Sequence, residues 1–314
     1  MKKMLFLIIV LCFSIHAQNP VNGGGVKTDT TLSHTLQRFV KEGGLDKEFD
    51  TGDDGMETIS LAVIDLTGKE PVMGGVYPYN FIYPASVYKM YVAAEALEQV
   101  SQGKYSLYSD FIVKAPNAVD NTKEIKTDPR PLLKENDTVT VNYLLDLMIT
   151  RSDNSAANCL IDLTRRENVN NLLHQYGWFG SEVTRKFLSR KYEDPGYDKV
   201  RGTVTCAQHA AEFMLRVQTN TLVNPWVSLQ MKALLARQLD KSKLAAGLPA
   251  NVMYSHKTGW FSYWTNDVGI VEDGKICYIV SCFVPVPEEQ AIPKMKELSG
   301  KIYNYIKSIH PEKY

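Results

Sequence analysis

Residues 265–284 read Thr-Asn-Asp-Val-Gly-Ile-Val-Glu-Asp-Gly-Lys-Ile-Cys-Tyr-Ile-Val-Ser-Cys-Phe-Val. β-forming apolar residues dominate 265–271 and 276–284, and Asp273-Gly274 between them tolerates the left-handed backbone of a tight hairpin. Just upstream, 253–256 also has strand character. Near the other end of the chain so do 58–66, closed by the turn residues Thr67-Gly68-Lys69, and 72–76.

The intervening chain has a different period. Val87, Met90, Ala94, Leu97 and Val100 recur at helical spacing and stop at Gly103, and similar patterns cover 141–150, 156–163, 169–176, 207–217 and 227–235. Leu32, Leu36, Phe39 and Val40 predict an early helix ended by Gly43-Gly44. Met295, Leu298, Ile302, Tyr305, Ile306 and Ile309 predict a long amphipathic helix at the C-terminus. Two early and three late strands fit an α+β fold: one antiparallel five-stranded sheet flanked by the N- and C-terminal helices, with an inserted all-helical part. The expected division is 31–82 plus 245–314 for the α/β subdomain and 83–244 for the helical one, with a site in the cleft between them.

Composition narrows the function. The 314 residues include 35 Lys+Arg and 35 Asp+Glu, with 44% hydrophobic content. That balance argues against partners such as nucleic acid or an anionic membrane, which demand a basic excess, and the hydrophobic content excludes general disorder. Residues 1–17 carry Lys2-Lys3, an apolar run over 4–15, and His16-Ala17, the grammar of a secretory signal peptide cleaved near Ala17. The run is too short for a permanent anchor, and Leu11 before Cys12 argues against lipidation. Export across the inner membrane to a periplasmic or extracellular location is the expectation, and residues 18–30 read as a flexible lead-in. Removing 1–17 leaves 33 basic against 35 acidic residues and four cysteines: Cys159, Cys206, Cys277 and Cys282. With no Cys-x-x-Cys pair and no histidines at ligand spacing, neither a metal nor another cofactor is expected. Cys277 and Cys282 fall on opposite strand faces, so mostly free, buried thiols are expected.

Three short elements carry chemistry. Ser86-Val87-Tyr88-Lys89 opens a helix, so Lys89 lies one turn above Ser86, where its amine can reach the hydroxyl. The N–H groups of the helix start favour the negative charge that develops on attack, and a lysine with lowered pKa can accept the serine proton. Ser-x-x-Lys alone is weak, and a second copy occurs at Ser101-Gln102-Gly103-Lys104, where a helix ends. Ser152-Asp153-Asn154 stands between two helices and by itself reads first as a common helix N-cap. Lys257-Thr258-Gly259 lies on a late strand.

In this order the three resemble the active-site elements of serine β-lactamases and penicillin-binding proteins. With 59–65, 83–93, 154–158 and Thr265-Asn266-Asp267, the sequence is similar to the class A β-lactamases over most of the chain after residue 17. The resemblance implies a monomeric serine hydrolase that opens a β-lactam or peptidoglycan-like amide through an acyl-enzyme, as in antibiotic resistance. Ser86 would be the nucleophile and Lys89 its proton acceptor. Ser152 would relay a proton to the leaving nitrogen, Asn154 would hold the substrate's side-chain amide, and Lys257 with Thr258 would bind its carboxylate. The backbone N–H groups of Ser86 and Trp260 would form the oxyanion hole.

The family also carries Arg-x-Glu-x-x-Leu-Asn on a later loop, whose glutamate activates the water that releases the acyl group. Arg165-Arg166-Glu167 comes too early and reads as a solvated helix surface. Glu193, in Ser189-Arg190-Lys191-Tyr192-Glu193-Asp194-Pro195, is the better-placed candidate base, although an extra residue separates it from Arg190 and no Leu-Asn follows. Glu182 and Asp194 are the other nearby carboxylates. Trp260 departs from the small residue usual beside the oxyanion hole and would narrow the cleft or offer a stacking wall. An enzyme without a placed base would release its acyl group slowly, like a penicillin-binding protein or D-alanyl-D-alanine peptidase; an esterase on this fold and a non-catalytic cell-wall-fragment binder are the other readings.

Overall fold

The computed structural model describes residues 26–187 and 202–313. Residues 1–17, most of the expected lead-in, Glu193 and Asp194 lie outside them.

The central sheet contains β1 (Lys27–Thr28), β2 (Ser60–Asp65), β3 (Val72–Val76), β4 (Met253–Phe261), β5 (Trp264–Glu272) and β6 (Cys277–Val284), in spatial order β1-β3-β2-β6-β5-β4. The five longer strands are antiparallel, as the hairpin and the two early strands predict. The expected strand count falls one short. Lys27–Thr28, inside the supposed lead-in, pairs parallel with Val72–Met73 at the sheet edge. Two residues are too few for a period to be read, and main-chain pairing alone recruits them.

Side chains on β2 and β6 alternate with period two. Ala62, Ile64, Ile279 and Phe283 pack with the helices of the chain's middle, and Leu61, Val63, Val280 and Cys282 pack with α1 (Thr30–Glu42) and α8 (Glu288–Ile309). Cys277 packs with the first group and Cys282 with the second, and all four described cysteines are free. Asp29 caps α1, its carboxylate accepting from Leu32 N at 3.0 Å. Gly74 lets that helix approach: a Cβ there would sit 2.5 Å from Leu32 Cγ.

The middle of the chain supplies α2 (Lys89–Ser101), α3 (Val141–Thr150), α4 (Asn154–Thr164), α5 (Arg166–Gln175), α6 (Ala207–Gln218) and α7 (Pro225–Leu235). α2 is the buried centre of this group, with ten of its 13 residues buried, so its polar Lys89 is held among apolar neighbours. None of the helices among the described residues is long and apolar enough to cross a membrane.

Candidate active site

Ser86 does not open α2 directly. Ala85–Tyr88 form a 3-10 turn, with Val87 N donating to Pro84 O at 3.1 Å, and α2 begins at Lys89. Pro84 disfavours α-helical continuation from Tyr83, and Ala85 is held at φ 46, a left-handed conformation that is strained for alanine. Such strain persists where the surroundings fix it, and here β4 does so: a Cβ on Gly259 would lie 2.8 Å from Ser86 N and Val87 N. Glycine lets the strand backbone pass against the turn that presents Ser86.

Ser152 is also held left-handed, at φ 62, between the end of α3 and Asp153, whose side chain caps α4 through a 2.7 Å bond from Ala156 N. Arg151 fixes this link by donating to Asp153 Oδ2 at 2.7 Å and to Pro131 O at 2.7 Å. Asp153 is thus the N-cap of α4, and Ser152 and Asn154 on either side of it line a cavity.

Two fully buried amines converge on Ser152. Lys257 Nζ donates to Ser152 Oγ at 3.1 Å and to Thr258 O at 2.7 Å. Lys89 Nζ donates to Ser152 O at 2.5 Å, Ser152 Oγ at 3.3 Å and Asn154 Oδ1 at 2.9 Å. The expected Lys89 to Ser86 hydrogen bond is not formed among the described residues; the lysine turns toward Ser152 and Asn154, whose two carbonyl oxygens accept from an ammonium better than a hydroxyl does. Burial lowers the Lys89 pKa to about 8, against the pull of Glu124, Asp120 and Asp153. Burial and the positive charge of Lys89 together push Lys257 down as well. Thr258 Oγ1 is buried without a hydrogen-bond partner among the described residues, a donor or acceptor left over for a ligand.

Ser86 opens into a cavity of about 520 Å³, walled in part by Tyr88, Asn154, Phe187, Thr203 and Trp260. A second cavity of about 330 Å³ meets Asp120, Glu124, Ser152, Asn154 and Trp260. The structure thus brings Ser86, Lys89, Ser152, Asn154, Lys257, Thr258 and Trp260 to one cleft. Glu193 lies outside the described residues. Glu167 is exposed in the first turn of α5, and Glu182 pairs its backbone with Val204.

Three residues of this cleft escape a reading by pattern. Asp120 accepts from Asn154 N at 2.7 Å and Asn154 Nδ2 at 2.8 Å, orienting the amide whose oxygen meets Lys89. Glu124 accepts from Trp260 Nε1 at 3.0 Å. Both sit in a stretch without periodicity, so nothing marks them. Phe187 does carry a signal: Arg185-Lys186-Phe187 has the arginine and spacing of Arg-x-Glu, with phenylalanine where the pattern has glutamate. Searching for the arginine instead of the carboxylate would find it.

A model of the β-lactamase enzyme family matches residues 45–306. The chain belongs to that family. The extended-spectrum β-lactamase PER-1 of Pseudomonas aeruginosa is 26% identical over 226 residues, covering 68% of this chain and 70% of that protein. Among solved structures, PBP-A superposes with a TM-score of 0.73 at 19% identity, over 90% of this chain and 98% of its own. An ancestral class A β-lactamase gives 0.68 at 22% identity, over 87% and 99%. These likenesses establish the β-lactamase and transpeptidase type of fold, and the family match makes the chain a class A β-lactamase-like serine hydrolase.

Proposed function

We propose that this family member acylates Ser86 by opening the amide of a β-lactam, and that it does so after export from the cytoplasm. One observation carries the chemical reading: two buried lysines share the hydroxyl of Ser152 in the cleft where Ser86 is presented. Two cations so close in a water-poor site disfavour each other's charge, so one amine is readily neutral and able to take a proton.

In the proposed sequence Ser86 Oγ attacks the lactam carbonyl carbon as its proton passes to Lys89. The new O–C bond forms, the C–N bond breaks, and the proton leaves Lys89 through Ser152 Oγ to the lactam nitrogen. The backbone N–H groups of Ser86 and Trp260 face the developing oxyanion, Asn154 takes the acylamide, and Lys257 with Thr258 Oγ1 receives the substrate carboxylate. Hydrogen bonds of this kind tighten as substrate binds, which accounts for a Lys89 turned to Ser152 beforehand.

Intact-mass measurement after mixing with benzylpenicillin tests the reading. The expected result is a covalent adduct of one penicillin on the wild type and none on Ser86→Ala. An unmodified wild type that also yields no hydrolysed product would overturn it. Export is tested separately: the N-terminus of protein recovered outside the cytoplasm should begin near Gln18.

A further inference from the structure

A second cluster of buried titratable groups begins one residue before Lys257 and takes no part in the acylation proposed above. His256 is fully buried, and its Nδ1 stands 2.8 Å from Asp267 Oδ1. Its Nε2 stands 3.2 Å from Lys241 Nζ. An ammonium only donates, so Nε2 accepts from Lys241, and the ring proton sits on Nδ1 and is donated to Asp267. Burial also pushes the His256 pKa below its ordinary value, which keeps the imidazole neutral. Tyr254 stacks on the imidazole with centroids 4.2 Å apart and donates its hydroxyl to Asp267 Oδ1 at 3.2 Å. Leu244 N donates to Asp267 Oδ2 at 3.1 Å. Gly269 gives the cluster its room: a Cβ there would sit 2.5 Å from His256 Cβ.

Asp267 on β5 is the register partner of Thr258 on β4, so the two side chains share one face of the sheet, with Cβ atoms about 4.5 to 5.5 Å apart. A buried carboxylate needs its lone pairs filled, and a threonine hydroxyl at that separation is a donor able to fill one. Thr258 Oγ1 nevertheless makes no hydrogen bond among the described residues. The donors from His256, Tyr254 and Leu244 account for this, because they satisfy Asp267 without Thr258. From this arrangement, and resting on the capture of a substrate carboxylate by Lys257 and Thr258 proposed above, we infer that His256 is a positioning residue for that capture: by occupying Asp267 it leaves the Thr258 hydroxyl to the substrate. Without the imidazole, Asp267 Oδ1 loses one of its two donors, and the Thr258 hydroxyl turns across the strands to replace it. Thr258 then presents lone pairs instead of its proton to an incoming carboxylate. Two carboxylates compete for one O–H, and His256 decides the competition in favour of the substrate.

The test measures acylation of Ser86 over a range of concentrations of benzylpenicillin and of its methyl ester, which lacks the carboxylate. In the wild type the half-saturating concentration should be lower for the free acid than for the ester. His256→Leu is expected to raise that of the free acid about tenfold, the lower end of what a hydrogen bond to a charged group is worth, and to leave the ester and both limiting rates within about twofold. His256→Asn places an amide N–H where Nδ1 stood and should capture the free acid like the wild type. In a Thr258→Val background His256→Leu should cost nothing further, since the hydroxyl it acts through is gone. If His256→Leu does not fold, His256→Leu combined with Asp267→Leu, which buries no unmatched carboxylate, takes its place, and free-acid capture there should equal that of the wild type. Equal losses for acid and ester in His256→Leu, no loss at all, an equal loss in His256→Asn, or a loss that adds to that of Thr258→Val would each overturn the inference. So would a folded double variant that has lost its preference for the acid. A wild type that takes acid and ester equally would overturn the carboxylate reading, and this inference with it, while leaving acylation of Ser86 intact.

Discussion

Trp260 Nε1 donates to Glu124 Oε1 at 3.0 Å, joining the end of β4 to the loop that precedes α3. Both residues line both cavities, so the pair stands between the space at Ser86 and the space at Asp120. Glu124 also favours the charged forms of Lys89 and Lys257.

Replacing Glu124 by glutamine keeps an oxygen for the indole N–H and removes the charge. The acylation rate of Glu124→Gln with anionic penicillins should rise a few-fold, the scale of about 1 kcal/mol for a solvent-accessible charge, and the gain should shrink in high salt. The rate plotted against pH should also move toward lower pH. Trp260→Phe, which loses the hydrogen bond and leaves the charge, should not shift that profile. Stopped-flow acylation at two ionic strengths distinguishes the two.

The Lys89 pKa of about 8 sets the pH dependence of the wild type. Acylation uses the neutral amine, so its rate should increase as pH rises through about 8 and level off above it. Because Lys257 shares Ser152 Oγ, the midpoint belongs to the pair. Measured rates that are flat from pH 6 to 9.5 would remove Lys89 from the proton-accepting role.

Burial of Lys257 without a carboxylate partner in contact among the described residues should cost stability at neutral pH. A folded-state pKa below the unfolded value means that the unfolded chain binds more protons between the two values, so stability rises with pH across that window. Lys257→Met should therefore raise the unfolding free energy at pH 7 by roughly 1 to 3 kcal/mol while weakening the capture of anionic substrates, and the stability gain should fade toward pH 10. Denaturant unfolding at the two pH values checks the sign.

Legibility differed between levels of structure. The hairpin over 265–284 and the period change after residue 76 displayed the sheet, because strands buried on two faces need long β-forming runs. That Ser86, Lys89, Ser152 and Lys257 gather near one cleft was expected from the order of three short elements along the chain, not from any local spacing between them. What eluded a linear reading is positioned by tertiary contact: Lys27–Thr28 is recruited by an edge and Asp120 by the amide of Asn154. The turn of Lys89 away from Ser86 was equally invisible, since it depends on carbonyl oxygens more than 60 positions along the chain.

Gly259 is held to its identity by space. A Cβ there would come within 2.7 Å of Pro84 O as well as 2.8 Å of Ser86 N. Gly259→Ala must push β4 away from the 3-10 turn, so a loss of about 1 to 3 kcal/mol in stability is expected together with a larger proportional loss in acylation. Thermal melts and adduct formation on the same sample measure both. An alanine variant that acylates at the wild-type rate would show that the turn and strand move independently.

Lys243 lies fully buried between Asp240 and Glu288, its Nζ donating to Asp240 Oδ2 at 2.6 Å and to Glu288 Oε1 at 2.7 Å. This couples the chain before β4 to the first turn of α8, where Glu288 also suits the helix dipole. Burial alone would raise the Asp240 pKa, but the charge of Lys243 and the hydrogen bonds from Lys243 and Ser242 hold it far below the ordinary 3.8. Asp240→Ala would leave a buried ammonium with Glu288 alone, and the expected cost at pH 7 is about 3 kcal/mol or more. Asp240→Ala combined with Lys243→Met should recover much of that loss, since no buried charge is then unmatched. The sign with pH follows from the lowered carboxyl: its stabilisation is complete well above 3.8 and is lost as pH falls from there toward the folded-state value. The gap in unfolding free energy between wild type and Asp240→Ala should therefore narrow as pH is lowered below 3.8, and a gap that widens in acid would assign the destabilisation to lost packing instead of to the ion pair.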